Sequence, residues 1–171
     1  SYSTVCRWKE PGETVSLANL EKIYEYAFKK RIRLNKIKEQ LFREECLENH
    51  VLLFHGAKTD ISGDISVEKS RKNNDFGRGF YCGESLEQSA IFVSNFPHAS
   101  LYMLDFDKTG MRELRLGVEQ DWMLMIAFFR GKRTAYENHP MIRRILNRLN
   151  GIDYVVAPIA DNRMFQIIDS F

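Results

Sequence analysis

A chain of 171 residues with 44% hydrophobic content is long enough for one sizeable core, or for one domain with a small appendage. Its 25 Lys and Arg nearly balance 23 Asp and Glu, so the formal net charge of +2 gives no global drive toward nucleic acid. Cys6, Cys46 and Cys82 stand far apart without zinc-ligand spacing, no apolar run reaches the ~20 residues of a bilayer span, and the start SYSTVCRWKEPG has no signal-peptide core; disulfides, metal and membrane insertion are not expected, and a reducing cytoplasm fits best.

Charge is local instead. Residues 29–43 (KKRIRLNKIKEQLFR) are basic around the single acid Glu39, and 130–148 is basic again. Either cluster could meet phosphate, but a solvated helix face is the commoner reason for such a run.

In chain order, LANLEKIYEYAFKK (17–30) puts Leu17, Leu20, Ile23, Tyr24, Ala27 and Phe28 on one stripe after Ser16 as N-cap, which predicts a helix. LNKIKEQLFREEC repeats the spacing with Leu34, Ile37, Leu41 and Phe42 and predicts a second. VLLFHG (51–56) has no helical period and reads as a buried strand. From Gly56 to Gly79 the chain is polar and rich in turn residues; a loop of this length inside a domain is usually functional or disordered.

GFYC (79–82) then reads as a strand, followed by a helix from about Ser85 to Phe96 with Leu86, Ala90, Ile91 and Val93 facing inward and Pro97 ending it. SLYMLDFD (100–107) alternates as a strand. DWMLMIAFFRGKR is too apolar for an exposed helix and should lie against a sheet. HPMIRRILNRLNG predicts an amphipathic helix with Pro140 in its first turn and Gly151 as C-cap. DYVVAPIA is a strand. A last helix is expected in DNRMFQIIDSF, with Met164, Phe165, Ile168 and Phe171 at helical spacing after Asp161.

The candidate chemistry begins at His55, at the end of a strand, with Gly56 beside it. A glycine lacks the Cβ that would keep a planar amide from the main chain, although a strand-end histidine standing alone is more often structural. In NNDFGRGFYCGESLEQSAIF, Gly77 and Gly79 bracket an arginine before an aromatic pair. Tyr81 could present a ring to a flat heterocycle and Phe92 the opposite face. Ser89 lies one turn before Phe92, where its hydroxyl could reach the same pocket; core and surface roles are the ordinary alternatives for Phe92 and Ser89.

Together, FHG (54–56) followed some two dozen residues later by FGRGFYCGESLEQSAIF resembles the His and Tyr motifs of the His-Tyr-Glu class of ADP-ribosyltransferases, which includes the poly(ADP-ribose) polymerases and diphtheria toxin. Nearer still is a bacterial family of short transferase-like domains of unassigned function, of the DUF3990 type, with signatures such as FHGSK, NNDFGxGFY, SLEQA and GPIADD. The likeness covers about residues 50–165.

The resemblance implies an α+β fold, with split, mainly antiparallel sheets, flanking helices and an all-helical N-terminal segment before them. It implies that NAD is bound as substrate by His55, Gly56, Gly79, Tyr81, Ser89 and Phe92, with the nicotinamide between Tyr81 and Phe92, and that His55 and Tyr81 belong to the catalytic set. The glycosidic bond would break through an oxocarbenium-like state needing electrostatic stabilisation and a positioned acceptor. A late segment carrying the third, acidic member is expected and is not found before Phe171; Asp161 and Asn162 are the nearest substitutes, but ADNR matches a separate family motif. A fragment is the simplest explanation, and a naturally degenerate transferase is the alternative.

The front end, STVCRWKEPGETVSLANLEKI (3–23), resembles the recognition helix and following helices of a Cro/repressor-type helix-turn-helix domain. That likeness implies that Ser3 to Trp8 enters the DNA major groove and that Arg7 reaches a base or phosphate. The expected domains are 1–48, a helix-turn-helix remnant with a linker helix, and 49–171, a transferase-like domain truncated at its C-terminus.

Three readings follow: a mono-ADP-ribosyltransferase acting as a toxin-like or defence effector tied to a DNA-binding module, a non-enzymatic NAD-sensing regulator with a degenerate transferase fold, and an interaction scaffold in which His55 and Tyr81 are core residues. The first is preferred for the parent protein. Its expected partners are NAD, a macromolecular acceptor (protein or nucleic acid), DNA at the N-terminal segment and a neutralising antitoxin-like protein.

Overall fold

The computed structural model describes residues 6–8, 10, 12–160, 164 and 166–167. The chain divides into two compact units, Ser1–Cys46 and Leu47–Phe171.

In the first unit, α1 (Leu17–Lys29) starts after Ser16, whose extended backbone makes it the N-cap although its hydroxyl caps nothing. The helix closes through bonds from Arg31 N to Phe28 O and from Ile32 N to Ala27 O. Arg31 occupies the left-handed region at φ 58°, the conformation such a reversal requires. Next comes α2 (Leu34–Glu45), with Glu39 bonded to both Lys36 and Arg43. Both expected helices are present, but of the α1 stripe only Ala27 is buried, and Leu17 and Phe28 stay exposed.

The second unit is mixed α+β. Strand β1 (His50–Ala57) pairs antiparallel with β2 (Ser100–Asp107) in unbroken register, from His50 opposite Asp107 to Ala57 opposite Ser100. Across one face of β1 lies α3 (Leu86–Val93), and Leu52, Phe54, Leu86 and Val93 are all buried. Ser85 accepts from Gln88 N and so caps α3.

A second, two-stranded sheet joins β3 (Glu113–Arg115) to β4 (Tyr154–Val156). These strands run parallel, so the expectation of mainly antiparallel sheets holds for the longer pair only. The crossover between them contains α4 (Gln120–Phe129) and α5 (Pro140–Asn147), as a parallel connection demands.

The main core lies here: Leu116, Trp122, Met125, Ile126, Ile142 and Ile145 pack together, each large side chain contributing about 1.5–3 kcal/mol by burial. Trp122 donates its indole N–H to Pro158 O at 3.2 Å, so the helix also holds the segment after β4.

Several sequence expectations need correction. GFYC is not a strand; the bridge to β1 falls just after it, between Phe54 and Gly83, and its own polar groups are tied by side chains rather than by a ladder, Gly79 N by Ser70 and Tyr81 O by His55. Helix α3 stops at Val93, before Pro97, and Ile91 is 70% exposed because it lies off the Leu86–Val93 stripe. Helix α5 ends at Asn147, and Gly151 (φ +70°) serves the turn into β4 instead of capping the helix. Met164, Gln166 and Ile167 are helical, whereas Asp161, Asn162, Phe165, Ile168 and Phe171 lie outside the described residues.

Candidate functional site

His55 faces away from α3, and its ring stacks on Phe80 at 4.3 Å between centroids. Its Nδ1 lies 2.7 Å from the Tyr81 carbonyl oxygen. A carbonyl can only accept, so the proton sits on Nδ1, and in the neutral ring Nε2 keeps the lone pair. The two halves of the expected motif are thereby joined through one hydrogen bond.

Tyr81 is held at its other end as well. Its hydroxyl donates to Gly77 O at 2.8 Å and accepts from Phe76 N at 3.0 Å. Burial raises the phenol above the ordinary tyrosine range, partly opposed by the Phe76 bond. Gly79 lies against the Tyr81 ring, where a Cβ would come 3.4 Å from Cε2. Burial also pushes the neighbouring Cys82 thiol up to about 11, although the residue keeps solvent contact.

Phe54 exchanges both backbone bonds with Gly83, so its N–H and C=O point away from β2. Two residues on, the strand repeat sends the N–H and C=O of Gly56 out along the same edge. The missing Cβ of Gly56 has a second use: a methyl there would meet Ser89 O at 2.7 Å and Val93 Cγ1 at 2.8 Å, so glycine is what lets α3 lie this close to β1. The Ser89 hydroxyl donates to Phe54 O at 3.3 Å and lies beside Gly83, which places it at this strand edge and not on open solvent.

Phe92 lies one turn beyond Ser89 on α3. It is 68% exposed, and among the described residues its ring does not touch that of Tyr81. His55, Gly56, Gly79, Tyr81 and Ser89 are therefore brought to one strand edge and its facing segment, while Phe92 is a free wall on the adjoining helix.

The sequence reading missed Phe80, Asp75 and Arg78. Arg78 donates to the carbonyls of Glu68 and Ser70, and Ser70 Oγ receives Asn74 Nδ2 at 2.9 Å and Gly79 N at 3.4 Å. This folds the long loop back on the Tyr81 segment. Asp75 accepts from Arg130 Nε at 2.7 Å, and Gly77 (φ +77°) lies so close to Phe129 that a Cβ would fall 3.0 Å from its ring. An arginine enclosed by glycines, preceded by an acid, was the available signal. Its partner Arg130 lies 55 residues further on, which no local pattern reveals.

The site is thus a strand-end histidine bonded to a tyrosine segment, beside a glycine whose backbone faces outward, on an α+β scaffold. The family model of DUF3990, a protein family of unknown function, matches residues 51–171, and the chain belongs to that family. No curated protein and no solved structure matches it. Among the described residues no helix is long and apolar enough to cross a membrane.

Proposed function

We propose that the protein binds NAD at this strand edge and transfers ADP-ribose to a macromolecule. The observation that carries the reading is the His55–Tyr81 hydrogen bond beside the outward backbone of Gly56. One outward N–H and one outward C=O match the acceptor and donor of a carboxamide. The Tyr81 ring, anchored at its hydroxyl, offers a flat face to the attached heterocycle. His55 Nε2, left over by the Nδ1 bond, is the group for a ribose hydroxyl.

The N-terminal unit is proposed as a DNA-contacting tether. Support comes from the pattern over residues 3–23 and from the helix Leu17–Lys29 that its last residues open. Ser3 to Val5 lie outside the described residues; Arg7 is exposed and 3.7 Å from Glu13.

The test is a thermal melt with and without NAD, followed by release of nicotinamide and transfer of labelled ADP-ribose. A saturable rise in Tm, lost in Tyr81→Ala, together with nicotinamide release, is the expected result. Saturable binding without turnover would move the conclusion to the non-enzymatic NAD sensor, and no shift at all would overturn both.

A further inference from the structure

We propose that Lys69, Arg71 and Lys72, together with Arg133, form a surface that binds nucleic acid beside the Tyr81 segment.

Two stretches distant in sequence are brought together there. The point where a Gly77 Cβ would stand is 3.0 Å from the Phe129 ring and 3.9 Å from Lys72 O. Arg130 Nε bonds Asp75 at 2.7 Å. The end of α4, at Phe129 and Arg130, therefore lies directly against the loop at Asp75 and Gly77. That loop is tied back on the Tyr81 segment, since Arg78 is bonded to Glu68 O and Ser70 O.

These inward bonds also sort the charges. Two acids of the region are engaged: Glu68 lies 3.7 Å from Arg78, and Asp75 pairs with Arg130. Lys69, Arg71 and Lys72 are exposed, and among the described residues no carboxylate pairs with them. The Arg133 guanidinium stands 6.0 Å from the centroid of Tyr136, which is 54% exposed.

Nucleic acid suits this surface better than an acidic protein. A phosphodiester chain needs several accessible point charges, and lysine supplies them without fixed geometry. An acidic protein favours bidentate arginine forks; here Arg78 and Arg130 are turned inward and Arg133 lies over the Tyr136 ring, which leaves Arg71 beside two lysines. The exposed Tyr136 ring, backed by Arg133, adds a face on which a base can stack. The local excess is invisible in the net charge of +2. Binding here does not depend on the transferase reading.

The experiment is fluorescence anisotropy of the full chain with ~20-nucleotide single-stranded RNA and DNA across a salt series. The wild type should bind, and Lys69→Glu/Arg71→Glu/Lys72→Glu should weaken binding at least tenfold at low salt. The slope of log affinity against log salt should become shallower by roughly 2, since each lost phosphate contact removes about 0.7. Tyr136→Ala should weaken single-strand binding.

Retained affinity and slope in the triple variant, or in its Gln counterpart if the Glu form does not fold, would overturn the proposal. So would displacement of the oligonucleotide by polyglutamate at equal charge, which would assign the surface to an acidic protein. The NAD-induced Tm shift should survive the triple variant. A chain that binds RNA but shows no NAD shift would end the transferase reading and leave this surface standing.

Discussion

His55 Nδ1 donates to Tyr81 O at 2.7 Å across 26 positions of sequence. This bond orients the imidazole and, at the same time, fixes the backbone that carries the Tyr81 ring. It makes the candidate site a single assembly instead of two adjacent motifs.

Replacing His55 should therefore disturb the loop as well as the ligand. His55→Ala removes the bond and the Phe80 stack, and a loss of about 1–2 kcal/mol is expected, measured by urea unfolding. Proteolysis between residues 70 and 80 should speed up in parallel. Unchanged unfolding and cleavage would show that the bond orders nothing.

Gly56 is doubly committed. Gly56→Ala would bring a methyl within 2.7 Å of Ser89 O and 2.8 Å of Val93 Cγ1, and roughly 1–3 kcal/mol of destabilisation is expected. Adding Val93→Ala should not restore the wild-type Tm, because the closer obstacle is a backbone carbonyl. Full rescue by Val93→Ala would contradict this account.

Tyr81→Phe keeps the ring and loses the bonds to Phe76 N and Gly77 O. It should cost about 1–2 kcal/mol and leave the NAD-induced shift in place, whereas Tyr81→Ala should abolish the shift. The pH dependence follows from the raised phenol. A group whose folded-state pKa exceeds its unfolded value contributes fully below the unfolded value of about 10 and loses that contribution as pH rises through the folded value. The wild type should therefore lose stability above about pH 10 more steeply than Tyr81→Phe; parallel alkaline profiles would refute the assignment.

Asp121 joins the start of α4 to α5, bonded to Arg144 Nη2 at 2.6 Å and Arg148 Nη1 at 2.7 Å. Partial burial works to raise its carboxyl, but the two arginines outweigh it and hold it below the ordinary carboxylate range. Stability from this cluster is complete above the unfolded pKa of about 3.9 and is lost as pH falls through the lower folded value. Asp121→Asn should cost roughly 1–3 kcal/mol at neutral pH, with the gap to wild type closing below about pH 3. A gap independent of pH would sink this explanation.

The helices and most of the strands are legible in the order of residues, because hydrophobic period and turn residues act over short distances. The stripe of Leu17 to Phe28, the apolar run before His55 and Pro140 at a helix start are local signals, and each corresponds to an element. Local pattern also singled out His55, Gly56, Tyr81 and Ser89, since glycine beside a reactive side chain is visible without coordinates. Only the tertiary structure decided that GFYC is side-chain-tied backbone rather than a strand, and that β3 and β4 run parallel. It also decided that Asp75 and Gly77 rest on Arg130 and Phe129. Those outcomes depend on which distant groups satisfy a given hydrogen bond or fill the space beside a missing Cβ, and that competition is settled only when the whole chain packs.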